Sequence, residues 1–275
     1  MKISLYIPCF NASLYIKRCL EGVFNQSINI DEVLIIDDGS TDNTVQIASK
    51  FDVKIISHES NKGLAAARNT AIKNSAGDYI ASLDSDCVPE KNWIEKLIHE
   101  FRDNKIAGIG GMLVEGYQDK PADLWRAVNM PQHWGNELTY NPEFLFGSNN
   151  IFRKESLLKV GMYDEALGNN GEDHHISQKL KSMNYALIYT PAARAVHLRQ
   201  DTVSSILRTH WNWYRMFHEP VNIENLKFRT RYNLRTSRDR IKEDIRNRQY
   251  KLLSIDLILP ADQFIRDIRY FVRKR

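Results

Sequence analysis

Two aspartates, Asp84 and Asp86, stand one residue apart directly after an apolar run, Tyr79-Ile80-Ala81-Ser82-Leu83. If that run is a strand, both carboxylates face the same side about 6.6 Å apart. At that spacing two negative charges repel by roughly 2.5 kcal/mol at an effective dielectric of about 20. A hard divalent cation such as Mg or Mn, held through oxygen, would relieve the repulsion; a solvated turn after the strand is the alternative. Asp37-Asp38, ahead of Gly39-Ser40, has two readings as well. It is either a turn that caps the next helix or a carboxylate that accepts hydrogen bonds from a base or ribose. Arg68 lies in an Ala-rich helical pattern, as a surface side chain or as a bidentate contact to an anionic ligand. Glu172-Asp173 opens a further helical pattern after Gly168-Asn169-Asn170-Gly171, where acidic residues complement the helix dipole.

The elements that must position these residues follow a βα rhythm. Ile3 to Ile7 reads as a first strand, and Ser13 to Asn25 as a helix with Leu14, Cys19, Leu20, Val23 and Phe24 at helical spacing. Val33-Leu34-Ile35-Ile36 is an uninterrupted apolar strand. A helix to about Phe51, a strand from Val53 to Ser57 and a helix from Leu64 to Asn74 come next. The pattern predicts a mostly parallel sheet flanked by helices. In such a sheet ligands bind beyond the carboxyl ends of the strands. Those ends carry Pro8-Cys9-Phe10-Asn11, Asp37-Asp38-Gly39-Ser40 and Asp84-Ser85-Asp86, while Asn61-Lys62-Gly63 precedes the helix of Arg68. Past Ala107 the regularity weakens. A strand over Gly108 to Val114, a loop-like stretch with Trp125 and Trp134, a strand around Phe144 to Phe152, a helix from Glu172 to Met183, a strand from Tyr185 to Tyr189 closed by Pro191 and a helix from Asp201 to Phe217 are expected. The remainder reads as helices joined by turns, the last broken at Pro260.

In order and spacing, Pro8-Cys9-Phe10-Asn11, Asp37-Asp38-Gly39-Ser40-Thr41-Asp42, Asn61-Lys62-Gly63 with Ala67-Arg68-Asn69, Asp84-Ser85-Asp86 and Gly171-Glu172-Asp173 resemble family 2 glycosyltransferases over about residues 1 to 200. The resemblance implies a GT-A-like (Rossmann-like) α/β fold and inverting transfer of a single sugar from a nucleotide-sugar, commonly a UDP-sugar, to a glycan or lipid-linked acceptor. It implies that Pro8, Phe10, Asp38, Asn61 and Arg68 hold the uridine, and that Asp84 lies by the ribose and metal. Asp86 becomes the ligand of Mn or Mg, with His197 resembling a histidine that completes the metal site in some relatives; a structural histidine is the alternative. The cation would neutralise the departing nucleoside diphosphate. Asp173 becomes the base that takes the proton of the acceptor hydroxyl. Glu172 and Asn149 are assigned to acceptor binding. His174-His175 departs from the family pattern, which often has an acidic residue there. No Gln-x-x-Arg-Trp motif of processive relatives occurs, and Arg208-Thr209-His210-Trp211 is only a loose echo, which favours single additions.

The expected organisation is a GT-A-like domain over residues 1–219, its nucleotide-binding part about 1–115 and its acceptor-binding part about 116–219, and a basic helical extension over 220–275. The extension holds 15 Lys+Arg against 7 Asp+Glu, leaving 23 against 27 in the body, for a net charge of +4. Ile265, Ile268, Phe271 and Val272 fall at helical spacing among Arg266, Arg269, Arg273, Lys274 and Arg275. That combination suits an anionic membrane surface, and equally a packed helix or an oligomer contact. Three cysteines, Cys9, Cys19 and Cys87, form no even disulfide set or CxxC pair, as in a cytoplasmic protein, here one peripheral at the inner face of the membrane if it meets a membrane at all. Two rival functions are a nucleotidyltransferase acting on sugar phosphates and, from the basic tail, a nucleic-acid-binding module. The second leaves the acidic pairs at the strand ends unexplained, so no nucleic-acid partner is expected. A dinucleotide-binding oxidoreductase is disfavoured because no G-x-G-x-x-G follows the first strand.

Overall fold

The computed structural model describes residues 1–167, 170–217 and 223–273. Gly168 and Asn169 ahead of the acidic pair, the expected boundary at 219/220, and Lys274 and Arg275 lie outside the described residues. Chain order is β1 (Ile3–Cys9), α1 (Ile16–Val23), β2 (Glu32–Asp37), α2 (Thr44–Ala48), β3 (Lys54–Ser57), α3 (Leu64–Asn74), β4 (Tyr79–Leu83), β5 (Cys87–Pro89), α4 (Trp93–His99) and β6 (Ile106–Glu115). It continues with α5 (Pro121–Asn129), β7 (Thr139–Tyr140), β8 (Asn149–Arg153), α6 (Lys154–Lys159), α7 (Glu172–Ser182), β9 (Ala186–His197), α8 (Val203–Phe217), α9 (Ile223–Arg246) and α10 (Leu253–Arg273).

Two units emerge, one of residues 1–116 and 132–198, the other of 117–131 and 199–275. The first unit is built on one sheet in the order β3-β2-β1-β4-β8-β6-β9-β5, with β7 paired to β9. Every residue of β1 is buried, because side chains of alternate parity enter cores on opposite faces. Ile3, Leu5, Ile7 and Cys9 pack with Cys19 and Leu20 of α1 and Trp93 and Leu97 of α4. Tyr6, with Leu34 and Ile36 of β2, packs under Ala67, Ala71 and Ile72 of α3 and Ile176 and Leu180 of α7. Covering helices on both faces are what an unalternated strand such as Val33 to Ile36 requires.

The parallel sheet expected from the sequence extends over β3-β2-β1-β4. Beyond β4 it becomes mixed, since β8 runs antiparallel to both β4 and β6, and β6 and β9 are parallel. The strand expected to stop at Pro191 instead runs on to His197. Its register against β6 jumps between Gly111 and Met112, from Thr190 to Arg194, so Pro191 sits in a bulge that needs no ladder hydrogen bond from it.

The second unit has its own core, in which Trp125 of α5 meets Ile206 and Leu207 of α8 and Leu252, Ile255 and Leu259 around the start of α10. This division differs from the expected 1–219 and 220–275. The stretch around Trp125, read as loop-like, is a helix with Trp125 and Arg126 buried. Helices α5 and α8 group with the C-terminal helices because one apolar cluster joins all three segments. Pro260 lies inside α10 without ending it. Buried residues before and after it, Ile255, Asp256, Leu259 and Gln263, hold both halves, so packing outweighs the lost backbone bond. No helix among the described residues is long and apolar enough to cross a membrane.

Gly111 marks the tightest approach in the sheet. A methyl group there would stand 2.2 Å from Ala193 O and 2.5 Å from Asn149 Oδ1. Overpacking of this kind costs about 1–3 kcal/mol. Gly111→Ala is therefore expected to melt about 2–10 °C below the parent in a calorimetric scan; an unchanged melting temperature would mean that β9 moves aside.

Candidate active site

The parallel half of the sheet delivers its carboxyl ends together. Cys9 pairs with Asp37 across β1 and β2, and Tyr6 with Ser82 across β1 and β4. Asp84 follows β4 and donates its N–H to Ser148 O at 3.2 Å, while Cys87 N–H closes a turn onto Asp84 O at 3.0 Å. That turn aims Asp86 at β9. Cys87 pairs with His197 in the ladder between β5 and β9, and Glu115 pairs with His197 in the ladder between β6 and β9. His197 thus sits between two carboxylates, with Nε2 3.2 Å from Asp86 Oδ2 and Nδ1 2.9 Å from Glu115 Oε2. Burial alone would lower its pKa, but Asp86 and Glu115 raise it to about 9. Glu115 was not singled out in the sequence, because only strand register reveals that it faces His197.

Beneath the aspartates lies Arg68, 1% exposed, on α3. It donates to Gly147 O at 2.8 Å and to Ser82 Oγ at 3.3 Å. Its Nη2 is 3.8 Å from Asp84 Oδ1 and 3.5 Å from Glu172 Oε1. Gly147 is the junction: its N–H donates to Asp173 Oδ2 at 3.3 Å, while its carbonyl accepts from Arg68 and from Ser82 Oγ. A side chain at 147 would collide with the guanidinium at 2.3 Å. Gly171, at φ 80°, turns the chain into α7 so that Glu172 and Asp173 occupy its first turn. Asp173 Oδ1 also accepts from His174 N–H at 2.7 Å. Burial raises the pKa of Glu172, with Arg68 pulling the other way. Asp84 and Asp173 are raised for the same first reason, against the same opposing cation.

The structure therefore brings Asp84, Asp86, Arg68, Glu172, Asp173 and His197 into one linked cluster. Several of the expected site residues also have partners inside the protein. Arg68, expected on the nucleotide, is the internal counter-ion of the carboxylates. Glu172, expected at the acceptor, is 4% exposed and faces Arg68. Asn149, also expected there, is fully buried: its Oδ1 accepts from Trp93 Nε1 at 2.6 Å and its Nδ2 donates to Met112 O at 2.9 Å. Asp38 accepts from Lys62 N–H and Gly63 N–H, each at 2.8 Å, and its Oδ1 lies 2.7 Å from His58 Nδ1. Asp38 thereby fixes the turn that presents exposed Asn61. Pro8 is buried in β1, and Phe10 is half exposed just beyond it. Asn11, at φ 51°, ties that segment to the next, its N–H donating to Ser40 Oγ at 2.9 Å and its Oδ1 accepting from Thr41 N–H at 2.8 Å.

The donor set fits a hard divalent cation. Asp84 Oδ1 is buried with no hydrogen-bond partner, and His197 is oriented by a carboxylate on its far nitrogen, the usual arrangement behind a metal-binding imidazole. Among the described residues no three His, Cys, Asp or Glu side chains are grouped to hold an ion by themselves. A cation bound by one or two carboxylates and completed by substrate phosphates needs no such cage.

Removing Arg68 would strand buried carboxylates, a loss of about 3–5 kcal/mol for a broken buried pair. Arg68→Met is expected to lower the guanidinium chloride midpoint clearly. Glu172→Gln is expected to lower it less, because burial already shifts Glu172 toward its neutral form. Equal midpoints for the two variants and the parent would contradict this ranking.

Comparison with known proteins adds a family. Residues 4–161 match the family described as Glycosyl transferase family 2. Chondroitin synthase of Escherichia coli is 46% identical over 105 residues, which take in 36% of this chain and 15% of that protein. The chain thus spans a small part of that relative's length. A mannosyltransferase from Pyrobaculum calidifontis, solved in complex with GDP-Man and Mn2+, superposes with a TM-score of 0.58 at 17% identity, covering 98% of this chain and 74% of the other. S. aureus TarS 1-349 in complex with UDP gives 0.62 at 18%, covering 95% and 90%. At these identities the likeness is one of fold, and it is the GT-A-like architecture expected from the sequence.

Proposed function

The chain belongs to glycosyl transferase family 2, and on that premise we propose that it transfers a single sugar with inversion from a nucleotide-sugar, a UDP-sugar first among them, to a hydroxyl of a glycan or lipid-linked acceptor. Assembly of a surface polysaccharide is the setting this reading favours. The observation that carries it is the linkage of two acidic segments through Arg68 and Gly147, with Asp84 and Asp86 after β4 on one side and Glu172 and Asp173 on the other. The mannosyltransferase with GDP-Man and Mn2+ and the TarS structure with UDP support a nucleotide-bound donor and a divalent metal. The three cysteines are free and buried, which supports a reducing, cytoplasmic setting.

Asp86 and His197 would hold Mn2+ or Mg2+, with Asp84 beside them. When bound, the cation neutralises the negative charge of the nucleoside diphosphate. Asp173 takes the proton of the acceptor hydroxyl. As it does so, the hydroxyl oxygen bonds to the anomeric carbon from the face opposite the diphosphate, and the bond from that carbon to the phosphate oxygen breaks. The nucleoside diphosphate leaves with the bonding pair, and the configuration at carbon inverts. Burial makes Asp173 a stronger base than a free aspartate. The N–H groups of Gly147 and His174 hold its carboxylate in place.

Asp173→Asn is expected to lower transfer by about 100-fold or more while donor binding, read by calorimetry, is retained. Native-rate transfer by this variant would remove Asp173 from the role of base. Because burial raises Asp173, the acid limb of the kcat/KM profile should lie above the ~3.9 of a free aspartate. Asp86→Ala should abolish nucleoside diphosphate release even with added Mn2+ or Mg2+, whereas EDTA treatment of the parent should abolish release that either metal then restores. Release of pyrophosphate in place of nucleoside diphosphate would point to nucleotidyl transfer.

A further inference from the structure

Helix α10 buries Ile255 and Leu259 in the core but turns most of its large apolar residues outward. Three polar residues face inward with them: Asp256, Gln263 and Asp267 are at most 1% exposed. Trp125 Nε1 donates to Asp256 at 3.1 Å, and Arg229 Nη2 and Trp211 Nε1 donate to Asp267 at 2.6 and 2.8 Å. Its outward face carries Leu257, Ile258, Phe264, Ile265, Ile268 and Val272, with Leu257 67% and Val272 64% exposed. At 100° per residue these fall in one stripe, roughly 24 Å long over residues 257–272. The polar residues on the exposed side are Ser254 and two cations, Arg269 and Arg273. The remaining acid of the helix, Asp262, is half-buried and paired with Arg266 at 2.6 Å.

A continuous exposed apolar stripe marks a surface that is covered in use. The charges decide the cover. A second copy of this chain would set Arg269 and Arg273 against like charges, with no exposed acid on the helix to meet them. Helix α9 adds six exposed cations between Lys227 and Arg246, against exposed Asp239 and Glu243. Apolar side chains bordered by cations match a bilayer interface with anionic headgroups. We propose that the outward face of α10 docks on an anionic lipid surface, with Leu257, Phe264, Ile265, Ile268 and Val272 entering the headgroup boundary and Arg269 and Arg273 meeting lipid phosphates. The helix lies along the membrane and does not cross it. This sharpens the sequence expectation, because Phe271 is half-buried and Arg266 is committed to Asp262, which leaves Leu257, Ile258 and Phe264 as contacts that expectation lacked.

The test is co-sedimentation of the full chain with vesicles of phosphatidylcholine alone and of an equal mixture with phosphatidylserine. Binding is expected to the mixed vesicles, and weaker at high salt. Each cation at an anionic surface strengthens partition about fivefold, so Arg269→Gln with Arg273→Gln should weaken it about thirtyfold. Ile265→Ser with Ile268→Ser should abolish it, and Leu257→Ser should reduce it. All five sites are exposed, so unchanged melting curves are expected, and Asp86→Ala should bind like the parent whether or not the enzymatic reading holds. A chain that stays in solution with both vesicle types, serine variants that bind like the parent, or a dimer dissolved by those variants without vesicle uptake would each overturn the proposal.

Discussion

Carboxylates from two separate segments converge in this protein, and they can do so because a guanidinium lies beneath them. Arg68 is enclosed by Asp84, Glu172 and the carbonyl of Gly147. Without a cation there, each buried acid would have to take up a proton or pull away from its neighbours. The same side chain dictates a glycine at 147, since any larger residue would occupy its space. It also requires a helix at α3 whose small residues, Ala65, Ala66 and Ala67, let the arginine reach the sheet. One buried charge thus constrains the α3 sequence, the loop before β8 and the start of α7 together.

The sheet does a different task for His197. One nitrogen meets Glu115, its ladder partner on β6, and the other meets Asp86 in the turn just before Cys87, its ladder partner on β5. Backbone hydrogen bonding therefore fixes the imidazole more rigidly than a loop would. Register across β5, β9 and β6 is in turn held by the bulge at Pro191 and by Asn149, whose amide reaches Met112 O and Ala193 O. Asn149, fully buried, thus acts as a spacer between strands.

Much of the parallel half was legible because its signals are local. Apolar runs ended in acidic pairs, and a helix such as Leu64 to Asn74 falls where its pattern predicts. The identity of the clustered residues was legible too, from motifs in order. What escaped was direction and partnership. Nothing local distinguishes Arg68 or Glu172 pointing into the protein from either pointing out, and Glu115 needs a strand register that no short window contains. The α5 helix was missed because its apolar residues, Trp125 among them, find their partners in α8 and α10, far along the chain. Pro260 misled for a related reason: local propensity argues for a break that long-range packing overrides.

The second unit draws on two separate stretches, 117–131 and 199–275. On a translating ribosome α5 emerges well before its packing partners. At about 5–20 residues per second, Trp125 and Arg126 wait on the order of ten seconds for Asp201 and Asp256 to be made. During that interval the nascent chain carries a tryptophan and an arginine whose partners have not yet been made. Synthesis order thus makes the 117–131 stretch the place where early chaperone contact would matter most.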